Sequence, residues 1–260
     1  MNVLEGKVVW ITGATSGVGA ETARQLTARG AIAIVTGRRE DKLREVSAAL
    51  PAERHRCYKM DVCNNDDIAV VFEQIMHEYG RVDVLVNNAG FGQFAYFEDT
   101  ALEQFAAMMD TNYMGLIRCT KMVLPVMKQR GEGQIVNVAS MAGKLSTAKA
   151  SGYAATKHAV LGLTNALRFE LQRYNITVSA VNPGPIDTPF LDQADGSGQY
   201  RASVGSYLLR PEQVAAAVIR IIERRLPELD LPRSAGLGVK LYGLAPRLAD
   251  RLVGRFLNRK

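Results

Sequence analysis

Residues 7–30 read KVVWITGATSGVGAETARQLTARG. An apolar, β-branched run passes without a break into a glycine-rich turn and then into a helical pattern. A strand followed at once by a helix returns parallel to itself, because only a crossover of that length brings the chain back to the same end of a sheet. The rest of the chain keeps the pattern. Strands are expected at Lys7–Thr12, Ala31–Thr36, Arg56–Met60, Val82–Asn87, Gln134–Ala139, Ile176–Val181 and Leu229–Leu231. Helices are expected after the turn, over Asp41–Leu50, Asp66–Tyr79, Leu102–Lys128 and Tyr153–Tyr174, and from Pro211 onward. Asn182–Pro189 is broken by prolines and a glycine, and Phe190–Leu209 reads as a mobile segment. The expected class is therefore α/β: a doubly wound parallel sheet of about seven strands in a single domain, with helices on both faces.

Charge separates two parts of that domain. The chain carries +6 overall, and residues 231–260 hold seven basic residues against one acid, Asp250. The first 230 residues therefore balance to zero, which argues against a nucleic-acid-binding body. Residues 1–230 form the expected catalytic body and 231–260 a basic extension of it. Cys57, Cys63 and Cys119 are few, odd in number and without zinc spacing, so they read as reduced thiols of a cytoplasmic protein. His55, His77 and His158 form no ligand cluster, and no metal is expected. No leader peptide and no apolar run of membrane-spanning length is legible.

The turn Thr12–Gly19 has glycines at Gly13, Gly17 and Gly19, spaced G-x-x-x-G-x-G. Placed between a first strand and a first helix, such a turn lets backbone N–H groups of Thr15, Ser16 and Val18 approach a pyrophosphate at a helix N-terminus. The end of the second strand selects the nucleotide. An acid there accepts ribose hydroxyls and repels a 2′-phosphate. This strand ends Thr36-Gly37-Arg38-Arg39, with no acid before Glu40. Arg38 and Arg39 fit a phosphate, so NADP(H) is expected over NAD(H).

Tyr153 and Lys157 are four apart in a helical run, hence on one helix face. An ammonium beside a phenol favours phenolate, so the Tyr153 pKa is expected to fall toward neutrality. Ser140 ends an apolar strand-like run just upstream.

Together these residues resemble the short-chain dehydrogenase/reductase family in its compact, roughly 250-residue form. The resemblance rests on TGATSGVG at 12–19, the Asp61–Val62 pair, NNAG at 87–90, Asn112, Ser140, Tyr153-x-x-x-Lys157 and PGPIDT at 183–188. It implies a Rossmann-like fold and an oxidoreductase. It also implies roles. Asp61 and Val62 contact adenine. Asn88, Ala89 and Gly90 form a backbone wall by the adenosine ribose. Tyr153 exchanges a proton with the substrate oxygen, which Ser140 orients. Lys157 holds the nicotinamide ribose, and Asn112 holds a water that links Lys157 to solvent. Pro183, Gly184, Ile186 and Thr188 border the nicotinamide carboxamide; Thr188 also reads as a plain helix N-cap. Relatives pair through the helices containing Asn112 and Tyr153, which implies a homodimer or homotetramer.

Phe91, Phe94, Tyr96 and Met141 are expected to line the substrate site under 190–209, with Lys144 and Lys149 near in sequence. Their apolar character points to a lipophilic ketone or aldehyde, or the matching alcohol. After Pro246, Leu248, Leu252, Val253, Phe256 and Leu257 share one helical face, with Arg247, Arg251, Arg255 and Arg259 on another. Two readings of this tail stand: docking on protein, or peripheral contact with an anionic membrane. A second function class also stands, a nucleotide-binding regulatory or adaptor protein working through the tail. An intact Ser140–Tyr153–Lys157 set favours the enzyme, since an adaptor has no use for an activated phenol.

Overall fold

A computed structural model describes residues 2–244. In chain order it contains β1 (Val8–Ile11), α1 (Gly17–Thr27), β2 (Ile32–Gly37), α2 (Glu40–Ala48), β3 (His55–Lys59), α3 (Asn65–Tyr79), β4 (Val84–Asn87) and α4 (Leu102–Met109). There follow α5 (Gly115–Arg130), β5 (Gly133–Val138), α6 (Ser151–Gln172), β6 (Ile176–Pro183), α7 (Pro189–Ala194), α8 (Gln199–Val204), α9 (Pro211–Arg224), β7 (Glu228–Leu231) and α10 (Arg233–Leu244). The strands form one seven-stranded sheet in the order β3-β2-β1-β4-β5-β6-β7. Every neighbouring pair is parallel.

Strand alternation explains the two layers. In β1, Val9 and Ile11 face one side and pack with Ala23 and Leu26 of α1 and Val214, Val218 and Ile222 of α9. Val8 and Trp10 face the other, with Ile68, Val71 and Ile75 of α3 and Cys119, Val123 and Met127 of α5. A strand buried on both faces has no solvent side to be polar on, which is why VVWI is apolar throughout. Trp10 remains satisfied inside because its Nε1 donates to Thr36 Oγ1 at 3.2 Å. Strand order reverses between β1 and β4. The turns leaving their carboxyl ends part there, and parallel sheets open a ligand crevice at that point.

Three expectations change in detail. The helical stretch expected over 102–128 is interrupted by a π-turn, Asp110–Met114, with Asn112 buried in it. The segment expected to be mobile, 190–209, folds into α7 and α8. Arg201 of α8 pairs with Asp187, bonds Asp192 at 3.1 Å and donates to Thr188 O at 3.1 Å. The extension from 231 begins as β7's last residue and then packs on the body as α10; the amphipathic arginine pattern after Pro246 lies outside the described residues. Among the described residues no helix is long and apolar enough to cross a membrane, and no cluster of His, Cys, Asp or Glu could hold a metal.

Candidate active site

A cleft of about 980 Å³ runs across the carboxyl end of the sheet. It brings together residues from as far apart in the chain as Gly13 and Tyr242. Gly13, Thr15, Ser16, Gly17 and Val18 line one part, with Arg38, Arg39, Asp61 and Val62 at the outer end. Asn88, Ala89 and Gly90, then Ser140, Tyr153 and Lys157, then Pro183, Gly184, Ile186 and Thr188 complete it. Met60 and Thr111, which no motif singled out, also line it.

The glycine turn is tightly curved and closely packed. Gly13 has φ +63°, and a Cβ there would lie 2.6 Å from Ala89 Cα. Gly17 has φ +55°, and a Cβ there would meet Thr188 Cγ2 at 3.1 Å. A Gly13→Ala variant is expected to strain the left-handed backbone by about 1–2 kcal/mol and to push Ala89 out of place. Thermal melting should show a lower Tm, and NADPH titration a weaker Kd; an unchanged Kd would remove Gly13 from the cradle. Gly19 does not line the cleft. A Cβ there would sit 2.6 Å from Asn88 Nδ2 and 2.8 Å from Gly13 O, so Gly19 lets α1 close onto the turn.

Thr12 was missed by the motif reading of contacts, although it opens the motif. Its Oγ1 accepts both the Asn88 and Ala89 amides at 3.1 Å. Asn88 returns the bond, since its Nδ2 donates to Thr12 O at 3.0 Å and Gly13 O at 2.9 Å. The Asn88 side chain thus holds the turn itself. At the outer end Glu40, the first acid after β2, pairs with Lys59 at 3.0 Å. Arg38 and Arg39 are exposed beside it.

Asn112 also makes structural bonds that the motif did not foretell. Its Oδ1 accepts the Phe91 amide at 2.9 Å, and its Nδ2 donates to Phe91 O at 2.8 Å and Thr156 Oγ1 at 3.0 Å. Both ends of the amide are used to bolt the Phe91 backbone to α6, which also accounts for the π-turn placing it there. Oδ1 and Lys157 Nζ both border Gly90, at 3.0 and 3.8 Å from where a Cβ would be.

Tyr153 and Lys157 are deeply buried. Lys157 is 5% exposed, and its Nζ donates to Val138 O at 2.9 Å. Burial lowers its pKa to about 8. Tyr153 moves the opposite way from the expectation: burial raises its pKa to about 12, the Ser140 hydroxyl pulls it back, and nearby Tyr200 adds to the rise. The Lys157 ammonium sits 5.7 Å from the centre of the Tyr153 ring. At neutral pH the phenol is therefore held protonated. Ser140 Oγ accepts the Ala142 amide at 3.1 Å and donates to Pro183 O at 3.4 Å.

Aromatic rings surround Tyr153. Phe94 lies edge-on at 5.9 Å and Phe190 at 5.6 Å, and Tyr200 packs on Phe94 at 4.7 Å. Phe91, Phe94 and Met141 line the cleft as expected, but Tyr96 does not. It is 48% exposed and stacks under the Lys149 ammonium at 5.0 Å. Residues 94 and 96 share one face only if the chain is extended, and here no strand holds them so. Lys144 is turned away to Glu228 and Asp230. Thr188 occupies the N-cap position of α7, but its side chain makes no cap bond; it lies against Gly17 instead. Ala235, Gly238, Val239 and Tyr242 of α10 line the cleft too, which composition gave no sign of.

A dinucleotide fits this arrangement, and the glycine turn, Asp61 and Val62, and 183–188 are the residues that would hold it. The fold and cleft thus define an oxidoreductase that works with a nicotinamide nucleotide. Known proteins agree. The short chain dehydrogenase family profile matches residues 7–197. The dehydrogenase/reductase SDR family member 7B of Xenopus laevis is 36% identical over 258 residues, covering 94% of this chain and 80% of the relative. An uncharacterized oxidoreductase of Staphylococcus haemolyticus is 33% identical, covering 84% of this chain and 92% of its own. A short-chain dehydrogenase structure from Streptomyces avermitilis superposes with TM-score 0.83 at 31% identity, covering 97% of this chain and 98% of that one. A variant of actinorhodin polyketide ketoreductase, solved with NADPH, gives TM-score 0.80 at 34% identity, over 87% of this chain and 95% of that one. The chain belongs to the short-chain dehydrogenase/reductase family.

Proposed function

We propose that this protein is an NADP(H)-dependent oxidoreductase acting on a lipophilic ketone or aldehyde, or on the matching alcohol. The observation that carries this reading is a Ser140–Tyr153–Lys157 set inside an aromatic-walled cleft whose other end is a glycine cradle. The nicotinamide group, when bound, supplies or takes up the hydride. The chain does the rest. In the reducing direction Tyr153 donates its proton to the substrate oxygen, a task suited to a phenol that stays protonated at neutral pH. Ser140 orients that oxygen. Lys157 holds the nicotinamide ribose and lends its charge as the phenolate forms. Asn112 keeps the Phe91 segment and α6 in register beside them, and a bound water at its Oδ1 edge would carry protons between Lys157 and solvent. Phe94, Phe190 and Tyr200 exclude water and favour an apolar substrate body.

NADP(H) is favoured at the outer end because Arg38 and Arg39 are exposed there and Glu40, the first acid after β2, is paired with Lys59. An Arg38→Glu/Arg39→Glu variant is expected to lose NADPH affinity by 10-fold or more, roughly the worth of one or two charge-assisted bonds. NADH affinity should change little. The two Kd values, measured by cofactor fluorescence, check this; a variant still preferring NADPH would sink it. Self-association through the helices containing Asn112 and Tyr153 is supported by Phe169 of α6, which is 78% exposed. NADPH oxidation against a panel of carbonyls tests the reading as a whole, and silence across a broad panel would favour the regulatory alternative.

A further inference from the structure

A four-member ring of polar groups closes the far edge of the sheet beside the cleft. Lys144 Nζ lies 2.5 Å from Glu228 Oε1 and 2.6 Å from Asp230 Oδ1. The same two oxygens accept from Asn182 Nδ2, at 2.5 and 2.8 Å. Asn182 is fully buried and Asp230 and Lys144 are mostly covered, while Glu228 is a third exposed, so the ring is anchored from the inside and reaches water at one corner.

The ring's members come from three segments that each reach the site. Lys144 ends the turn Met141–Gly143, which Ser140 begins. Asn182 precedes Pro183, whose carbonyl accepts from Ser140. Asp230 precedes Leu231, whose carbonyl accepts the Gly184 amide at 2.7 Å. The second Asp230 oxygen faces α10: a Cβ on Gly236 would lie 2.4 Å from Oδ2. One carboxylate thus touches the Ser140 segment with one oxygen and the cleft-lining helix with the other. The Ser140 turn is seated on its other side by Gly143, where a Cβ would come 2.7 Å from Lys157 O.

We propose that Lys144 is a positioning residue that, through Asp230, sets Ser140 and the α10 wall of the cleft in fixed relation. This rests on the oxidoreductase reading for its kinetic consequence, and not for its structural one. A substrate large enough to bear on Ala235, Val239 or Tyr242 meets a wall held at a set distance from the hydroxyl that orients its carbonyl. A substrate too small to reach α10 is indifferent to that distance.

Lys144→Met keeps the stem and removes the charge. It is expected to lower kcat/KM about tenfold for a fused-ring ketone, the size of effect known for residues that couple packed elements, while acetone turnover and NADPH Kd stay near wild type. Lys144→Arg should restore most of the loss. Hydrogen exchange read on the cofactor-free protein should show amides of 141–145 and 233–239 losing protection together. Asp230→Asn, which keeps the contact with Gly236, should act in the same direction, and combined with Lys144→Met should add little. Equal losses for both ketones, or exchange changes confined to 141–145, would overturn the proposal. If the wild-type protein reduces no carbonyl, the functional reading fails, and the exchange data still decide whether Lys144 links the two walls.

Discussion

Replacing Tyr153 with phenylalanine is expected to lower kcat by about 10²- to 10⁴-fold, the range that general acid catalysis supplies. The ring makes most of the side chain's contacts, with Phe94 and Phe190 on two sides, and phenylalanine keeps them. Deleting the hydroxyl gives up its bond to Ser140, worth about 1 kcal/mol, and removes the opposing cost of burying a polar group. Tm and NADPH Kd should therefore stay near wild type while turnover collapses. Steady-state kinetics beside a melting curve separate the two effects. A Tyr153→Phe protein with wild-type kcat would falsify the assignment of the proton donor.

Lys157→Met is expected to inactivate the enzyme and, at pH 7, to stabilise the cofactor-free fold. Burial lowers the Lys157 pKa from 10.5 to about 8. A lowered lysine pKa means that the fold resists holding the proton. Below pH 8 both folded and unfolded chains carry it, and the fold bears the full penalty of about 3 kcal/mol at roughly 1.4 kcal/mol per pKa unit. Methionine removes that penalty but strips Val138 O of its donor, which costs about 1 kcal/mol. The net gain is about 2 kcal/mol. As pH rises from about 8 toward 10.5, the wild-type lysine sheds its proton in the fold before it would in the unfolded chain. The wild type then recovers stability and the gap narrows. Urea unfolding of both proteins at pH 7 and pH 10 checks the sign. A variant less stable at pH 7, or a gap that widens with pH, contradicts a buried, strained cation. On the expected outcome, a lysine that the proposed reaction uses is one without which the cofactor-free fold is more stable at pH 7.

The sheet was largely readable because parallel strands buried on both faces cannot hide their apolar runs. Val8–Ile11 and Ile32–Gly37 fall within a residue or so of where β-branching puts them. The cradle was readable because few turns need glycines at 13, 17 and 19 before a helix. Side-chain partners were not. The Tyr153–Lys157 spacing guarantees a shared helix face and says nothing about burial, so it forecast a lowered phenol pKa where desolvation raises it. Asn112 lay in an apparently ordinary helix, and only the Phe91 backbone, 21 residues away, reveals where its amide is spent. Tyr96 looked as eligible as Phe94 because both are aromatic and near in sequence. The arginines after Pro246 give the tail its plainest sequence pattern, whereas the cleft is met by Ala235, Gly238, Val239 and Tyr242 before them.

The Thr12 hydroxyl, which accepts two successive amides from the β4 side, has a thermodynamic meaning for cofactor capture. A loop of three glycines left to itself samples many shapes, and a ligand that selects one must offset the entropy of all the others. Here those shapes are removed before any nucleotide arrives. The glycines permit the curve, and Thr12 and the Asn88 side chain together hold it, so a phosphate bound there as proposed would meet a loop already folded, with little binding energy spent on ordering the chain.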